Sequence, residues 1–253
     1  MEGVDGWIWA TLVGLSVLVP VVAAAAAFRA APTAGINPGR TALAVGSSLG
    51  IWWLVVVGAA GAELFRADGD AVFPVIALGV ALPVVAGLVI LPRMSGFRRL
   101  TESIPQTWLL AAQTPRILGA TFLLLLAQDK LPAHFALTAG IGDLAVGLAA
   151  PAVAYWYATG RAGRHGLAMA FNIVGVLDLV MAVVTGFLSA PSPLRVFTTT
   201  PSTEVMTMLP MVLVPAFLLP ALLTVHAISI RRLLAARRGV AANGTRFAQR
   251  AFS

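Results

Sequence analysis

Seven apolar runs of about 20 residues divide this sequence, each long enough to cross a bilayer as a helix at 1.5 Å rise per residue. They read as 7–28, 41–62, 73–92, 107–127, 133–157, 166–188 and 205–230. Such runs leave little choice of fold. In hydrocarbon, each backbone N–H and C=O must be satisfied within its own segment or in a closed barrel, so each run is expected to be a helix. The sequence therefore predicts an all-α, polytopic, seven-helix transmembrane bundle over 1–230, followed by a basic tail over 231–253. No internal repeat and no second domain is read.

The loops between the runs set an orientation. Of the seventeen basic residues, Arg116 lies within a run; thirteen of the others fall in loops on one side and three (Arg66, Lys130 and Arg195) on the other. The excess alternates with every crossing: Arg29 and Arg40, then Arg93, Arg98 and Arg99, then Arg161 and Arg164, then the arginines of the tail. By the positive-inside rule the N-terminus is expected outside and the C-terminus in the cytoplasm. Glu2, Asp5, Glu63, Asp68, Asp70, Asp129 and Glu204 fall on the opposite, outer side. Residues 1–6 carry two acids and no base, so the first run reads as a retained span and not as a cleaved signal peptide.

A formal charge of +7 in a chain only 11% charged and 59% hydrophobic does not point to nucleic acid. The basic residues sit between apolar runs, where they would meet the anionic inner leaflet; the tail in particular reads as a lipid-surface segment. Arginine-rich, lysine-poor usage suggests a bacterial inner membrane. The absence of cysteine excludes disulfides, thiolate metal sites and a cysteine nucleophile. The one lysine, Lys130, is in an outer loop, so a retinal Schiff base has no attachment point inside the bundle. His134 falls at the opposite end from His165 and His226, so no three-histidine metal site is expected. No cofactor is read.

Against this apolar background, Arg116, Asp143 and Asp178 each fall near the middle of a run. A charge at that depth is costly unless paired or wetted, and by default marks function. Helical counting puts Arg116 roughly 14 Å, Asp178 about 18 Å and Asp143 about 21 Å from the inner ends of their runs. Gln113, Asn172 and His226 lie roughly 6–9 Å deep on the same count, as an inner tier. One arginine against two aspartates leaves a surplus negative charge, so one aspartate keeps a proton, a cation binds, or water enters.

Local features surround these residues. Pro115 frees the carbonyl of Ala111, which Arg116 could cap. Gly140, Asp143 and Gly147 share one face, which lets another backbone approach the carboxylate. Gly175 lies between Asn172 and Asp178. Gly46, Ser47, Ser48 and Gly50 offer a close-packing face, with Trp52 and Trp53 expected to pack against neighbouring helices. Pro210, Pro215 and Pro220 predict a bent or partly broken last run.

Three functions follow. The first is binding or transport of a small polar solute, ion or proton through Arg116, Asp143, Asp178, Gln113, Asn172 and His226. The second rests on a resemblance. Gly140-Ile141-Gly142-Asp143 resembles the GxGD motif of intramembrane aspartyl proteases, and Pro220-Ala221-Leu222 resembles their PAL motif. That resemblance implies a hydrolase with Asp143 and Asp178 as the catalytic pair; in the family the partner aspartate precedes GxGD, whereas Asp178 follows it. The third is a structural or accessory subunit whose charges fix helix packing. The stretch from Pro105 to Asp143, with the segments around Asn172 to Asp178 and Pro210 to His226, also resembles uncharacterised bacterial seven-helix membrane proteins.

Overall fold

The computed structural model describes residues 4–66 and 75–251, with side chains to 238. Glu2, Asp68, Asp70, the first two residues of the third run and the side chains of the tail beyond 238 lie outside it. Helix α1 spans Gly6–Ala30 and α2 Pro38–Gly61. The third run is α3, Val75–Val85, carried on by a π-helical turn (Ala86–Ile90) and a 3-10 turn (Leu91–Arg93). A short helix α4, Ser95–Ser103, follows. The fourth run is split into α5 (Gln106–Ala111), a 3-10 segment (Thr114–Gly119) and α6 (Ala120–Ala127). Then come α7 (Ala133–Ala158), α8 (Arg164–Ser189), a π-helical turn (Val214–Leu218) and α9 (Leu219–Ala251). No strand occurs among the described residues.

Seven of these stretches are long and apolar enough to cross a membrane, the last being Val214–Arg238. Their outward surface carries Leu18, Leu43, Leu54, Leu82, Leu148 and Leu177, all more than half exposed. An apolar belt of that extent is what a lipid-facing surface requires.

Side-chain contacts tie helix ends together at both ends of the bundle. Gln128 Nε2 donates to Asp5 Oδ2 at 2.9 Å, and His134 stacks on Phe197 with ring centroids 4.6 Å apart, both at one end of the bundle. At the other end Ser103 Oγ donates to the Ala30 carbonyl at 2.9 Å, and Arg232 reaches the carbonyls of Thr101 and Glu102. Residues 190–203 form no helix, as their Pro and Ser content predicts, but they close the end of α8. Val196 N and Thr203 N donate to the Leu188 and Ser189 carbonyls, and Thr203 Oγ1 donates to that of Gly186. These carbonyls belong to the last turn of a helix, which has no partners of its own.

The last run differs from the sequence reading. It begins at Val214, not at 205, because Pro210 and Pro215 deny their N–H groups to a regular helix; the chain from 204 to 213 is a 3-10 helix (Glu204–Thr207) and turns. It also does not stop at 230. Arg231 and Arg232 are good helix formers, and α9 runs on without interruption to Ala251, through the stretch read as a separate basic tail.

Packing follows the small residues. A Cβ on Gly46 would lie 3.1 Å from that of Ala24, so α1 and α2 approach closely there, whereas Gly50 meets nothing. Trp53 Nε1 donates to Ser16 Oγ at 2.9 Å, and Trp52 packs against Phe217 at 5.1 Å between centroids. One apolar core at the end near Asp5 gathers Ile8, Phe122, Leu125, Phe135 and Met211; another, toward the opposite end, gathers Leu110, Val146, Phe171 and Leu233. The polar residues lie in the layer between them.

Candidate functional site

Arg116 sits on the 3-10 segment of the broken fourth run. Pro115 does free the Ala111 carbonyl, but Thr114 Oγ1, not Arg116, caps it at 2.7 Å. The arginine is thereby left for longer-range partners. Its side chain is fully buried, and its guanidinium serves three helices. Nε donates to Asp143 Oδ1 on α7 at 2.6 Å, and Nη2 donates to Asp178 Oδ2 on α8. Nη1 donates to the Gly175 carbonyl on α8 at 3.1 Å and lies 3.2 Å from His226 Nε2 on α9. The middle tier expected from counting is thus one connected cluster.

The histidine tautomer follows from its neighbours. Asn172 Nδ2 donates to the Ala168 carbonyl at 2.6 Å, which turns Oδ1 toward His226 Nδ1 at 2.9 Å. Oδ1 can only accept, so Nδ1 carries a hydrogen. On the other side a guanidinium can only donate, so Nε2 accepts. His226 is therefore held as a neutral imidazole and adds no positive charge. Its ring also lies against Phe171, 6.0 Å between centroids.

The structure corrects the two-tier picture. Asn172 and His226 do not form a separate inner layer; they continue the chain of bonds from Arg116 to Ala168. His226 was placed near the inner end because the last run was ended too early, at 230. With the helix at Val214–Arg238, twelve residues lie on each side of it. Gln113 stays outside the cluster: its Nε2 donates to the Leu222 carbonyl at 3.3 Å, and its Oε1 is buried without a partner among the described groups.

Glycines make the close approach possible, as the shared face of Gly140, Asp143 and Gly147 predicts. A Cβ on Gly147 would strike the backbone of Arg116 and Ile117, and one on Gly140 would lie 3.1 Å from the Gly119 carbonyl. Three further glycine contacts went unread. Gly119 abuts the Asp143 side chain, and Gly142 takes the Asp178 carboxylate against its backbone; Gly175 accommodates the His226 ring. Gly119 could have been found, since it lies three residues from Arg116 and a 3-10 helix has three residues per turn.

Electrostatically the cluster is two carboxylates, one guanidinium and a neutral imidazole. Each carboxylate gives one oxygen to Arg116. Asp143 Oδ2 and Asp178 Oδ1 are left over, and their side chains keep 13% and 10% exposure. His134 on Phe197, and His165, whose Nδ1 is 3.3 Å from the Tyr157 hydroxyl, are each engaged elsewhere. Among the described residues no group of three His, Cys, Asp or Glu is placed to hold a metal ion.

A bundle of seven membrane-length apolar helices closed around one buried ion cluster defines a class, the multi-pass membrane proteins. Within it, the family model described as "Domain of unknown function (DUF8737)" matches residues 72–234, well over half of the chain, and the chain belongs to that family. The matched stretch contains Gln113, Arg116, Asp143, Asn172, Asp178 and His226, and leaves α1 and α2 outside. No curated protein and no solved structure matches the chain.

Proposed function

We propose that this is a multi-pass protein of a bacterial inner membrane, N-terminus outside, that takes up a proton or small cation at the Arg116–Asp143–Asp178 centre and moves it across the bilayer. The carrying observation is the charge count of the cluster. Two aspartates face one arginine, and His226 is held neutral by its own hydrogen bonds. A surplus negative charge in low dielectric is expensive, and a bound proton or cation offsets it. The two oxygens not taken by Arg116 are the acceptors.

The test is flux through the purified protein in liposomes loaded with a pH-sensitive dye, under an imposed membrane potential. Asp143→Asn and Asp178→Asn should each retain the folded, monodisperse protein and abolish flux. Unchanged flux in both variants would reject the reading.

One observation favours a second reading. Arg116 ties the 3-10 segment to α7, α8 and α9 at once, as a purely structural clamp would. In that case Arg116→Gln loses the fold, removing one aspartate restores it, and no flux exists to lose. The aspartyl hydrolase reading is the weaker one. It needs two carboxylates that share a proton over a water, and here each turns an oxygen to Arg116.

A further inference from the structure

At the inner end, well away from the polar centre, the chain closes a second polar feature. A cavity of about 310 Å³ lies between the end of the third run, α4 and α9. Its basic lining is Arg98, Arg231 and Arg232; its apolar lining includes Pro92, Phe97 and Ile228. Arg231 and Ala235 also line an adjoining hollow of about 430 Å³ that ends at Arg238, two helical turns from Arg231 on the same face of α9.

The arginines are held in place by the protein. Arg232 Nη1 donates to the Thr101 carbonyl at 2.9 Å and to that of Glu102, in the last turn of α4, where carbonyls lack helical partners. Arg231 Nη2 donates to the Leu88 carbonyl at 3.1 Å, within the π-helical turn. What remains unused is informative. Arg232 Nε is buried with no hydrogen-bond partner among the described residues. A buried donor on a charged group is costly to leave unpaired, so an acceptor is called for.

We propose that this cavity binds the phosphate monoanion of an anionic phospholipid, one whose headgroup carries no compensating positive charge. Three arginines against Glu102 leave a net +2, which fits an anion. Glu102 at the rim repels a dianion and can accept from a headgroup hydroxyl, which favours a singly charged phosphodiester over free inorganic phosphate. Pro92, Phe97 and Ile228 supply the apolar wall that a glycerol backbone and the start of an acyl chain need. Basic pockets at the inner ends of transmembrane helices are a known way of selecting anionic lipids. The site rests on the reading that this end of the bundle meets the inner leaflet. It does not depend on the Arg116 cluster.

The experiment is native mass spectrometry of the full chain in neutral detergent, titrated with dioleoylphosphatidylglycerol, dioleoylphosphatidylcholine or inorganic phosphate. Phosphatidylglycerol should bind about tenfold more tightly than phosphatidylcholine, and the double variant Arg98→Gln, Arg231→Gln should lose that preference. Arg98→Lys should keep most of it, and Glu102→Gln should bind more tightly than wild type. The thermal unfolding midpoint of each variant establishes that the fold persists; should the double variant not fold, Arg98→Gln alone, at an exposed side chain, carries the comparison. Equal binding of the two lipids, or a preference that survives in the folded variants, overturns the proposal. Displacement of phosphatidylglycerol by inorganic phosphate keeps the phosphate chemistry and moves its source to the solute. Proton flux is a separate readout, so this site and the polar centre can fail independently.

Discussion

A single side chain, Arg116, decides whether the interior of this bundle is tolerable. Deleting its charge strands two carboxylates between apolar cores, so Arg116→Gln should destabilise the fold by about 3–5 kcal/mol. Asp143→Asn in the same chain should return part of that loss; thermal unfolding in detergent measures both. At Gly142 a methyl group would be driven into the Asp178 carboxylate, so Gly142→Ala should lower the unfolding midpoint, whereas Gly50→Ala, with nothing nearby, should not. The residue scale was also the most legible in sequence. A charge inside an apolar run stands out, which is why Arg116, Asp143 and Asp178 were found. Their bonding order was not legible, because which oxygen meets which nitrogen depends on helix rotation. His226 was seen, yet its membership in the cluster was hidden by a run ended at 230, short of where the helix leaves the apolar layer.

Among the elements, the interrupted fourth run is the one that builds the site. A straight helix from Gln106 to Ala127 would keep its backbone bonds to itself; the 3-10 segment instead presses its backbone onto the glycines of α7. Pro115 permits this, and Thr114 covers the carbonyl that Pro115 exposes. Thr114→Val should therefore cost about 1 kcal/mol of stability, read again from unfolding. Gly147→Ala should cost more, since the added methyl would strike backbone that cannot turn aside. Proline and glycine positions gave the sequence reading its breaks and close contacts. They did not give the helix ends. Around Pro210 hydropathy stays high although the backbone is not helical, and past Arg231 hydropathy falls although the helix continues.

For the molecule as a whole, the alternation of basic loops makes a prediction independent of any site. With no native cysteine, single cysteines report sidedness without background. Ser192→Cys should react with a membrane-impermeant maleimide added to intact cells, and Ala162→Cys only after the cells are opened. The reverse pattern would invert the assigned orientation. The seven-helix count was legible because hydropathy and loop charge gave the same answer. The cavity beside α4 was not, since α9 closes it against the third run and α4 from far along the chain.

The uninterrupted course of α9 has a mechanical consequence. His226 and Arg232 stand six residues apart, about 9 Å along the helix axis, with no proline or hinge between them. They therefore turn together, and α9 is a torsion bar: a twist that pulls Arg232 off the end of α4 is delivered undamped to the imidazole wedged between Asn172 and Arg116.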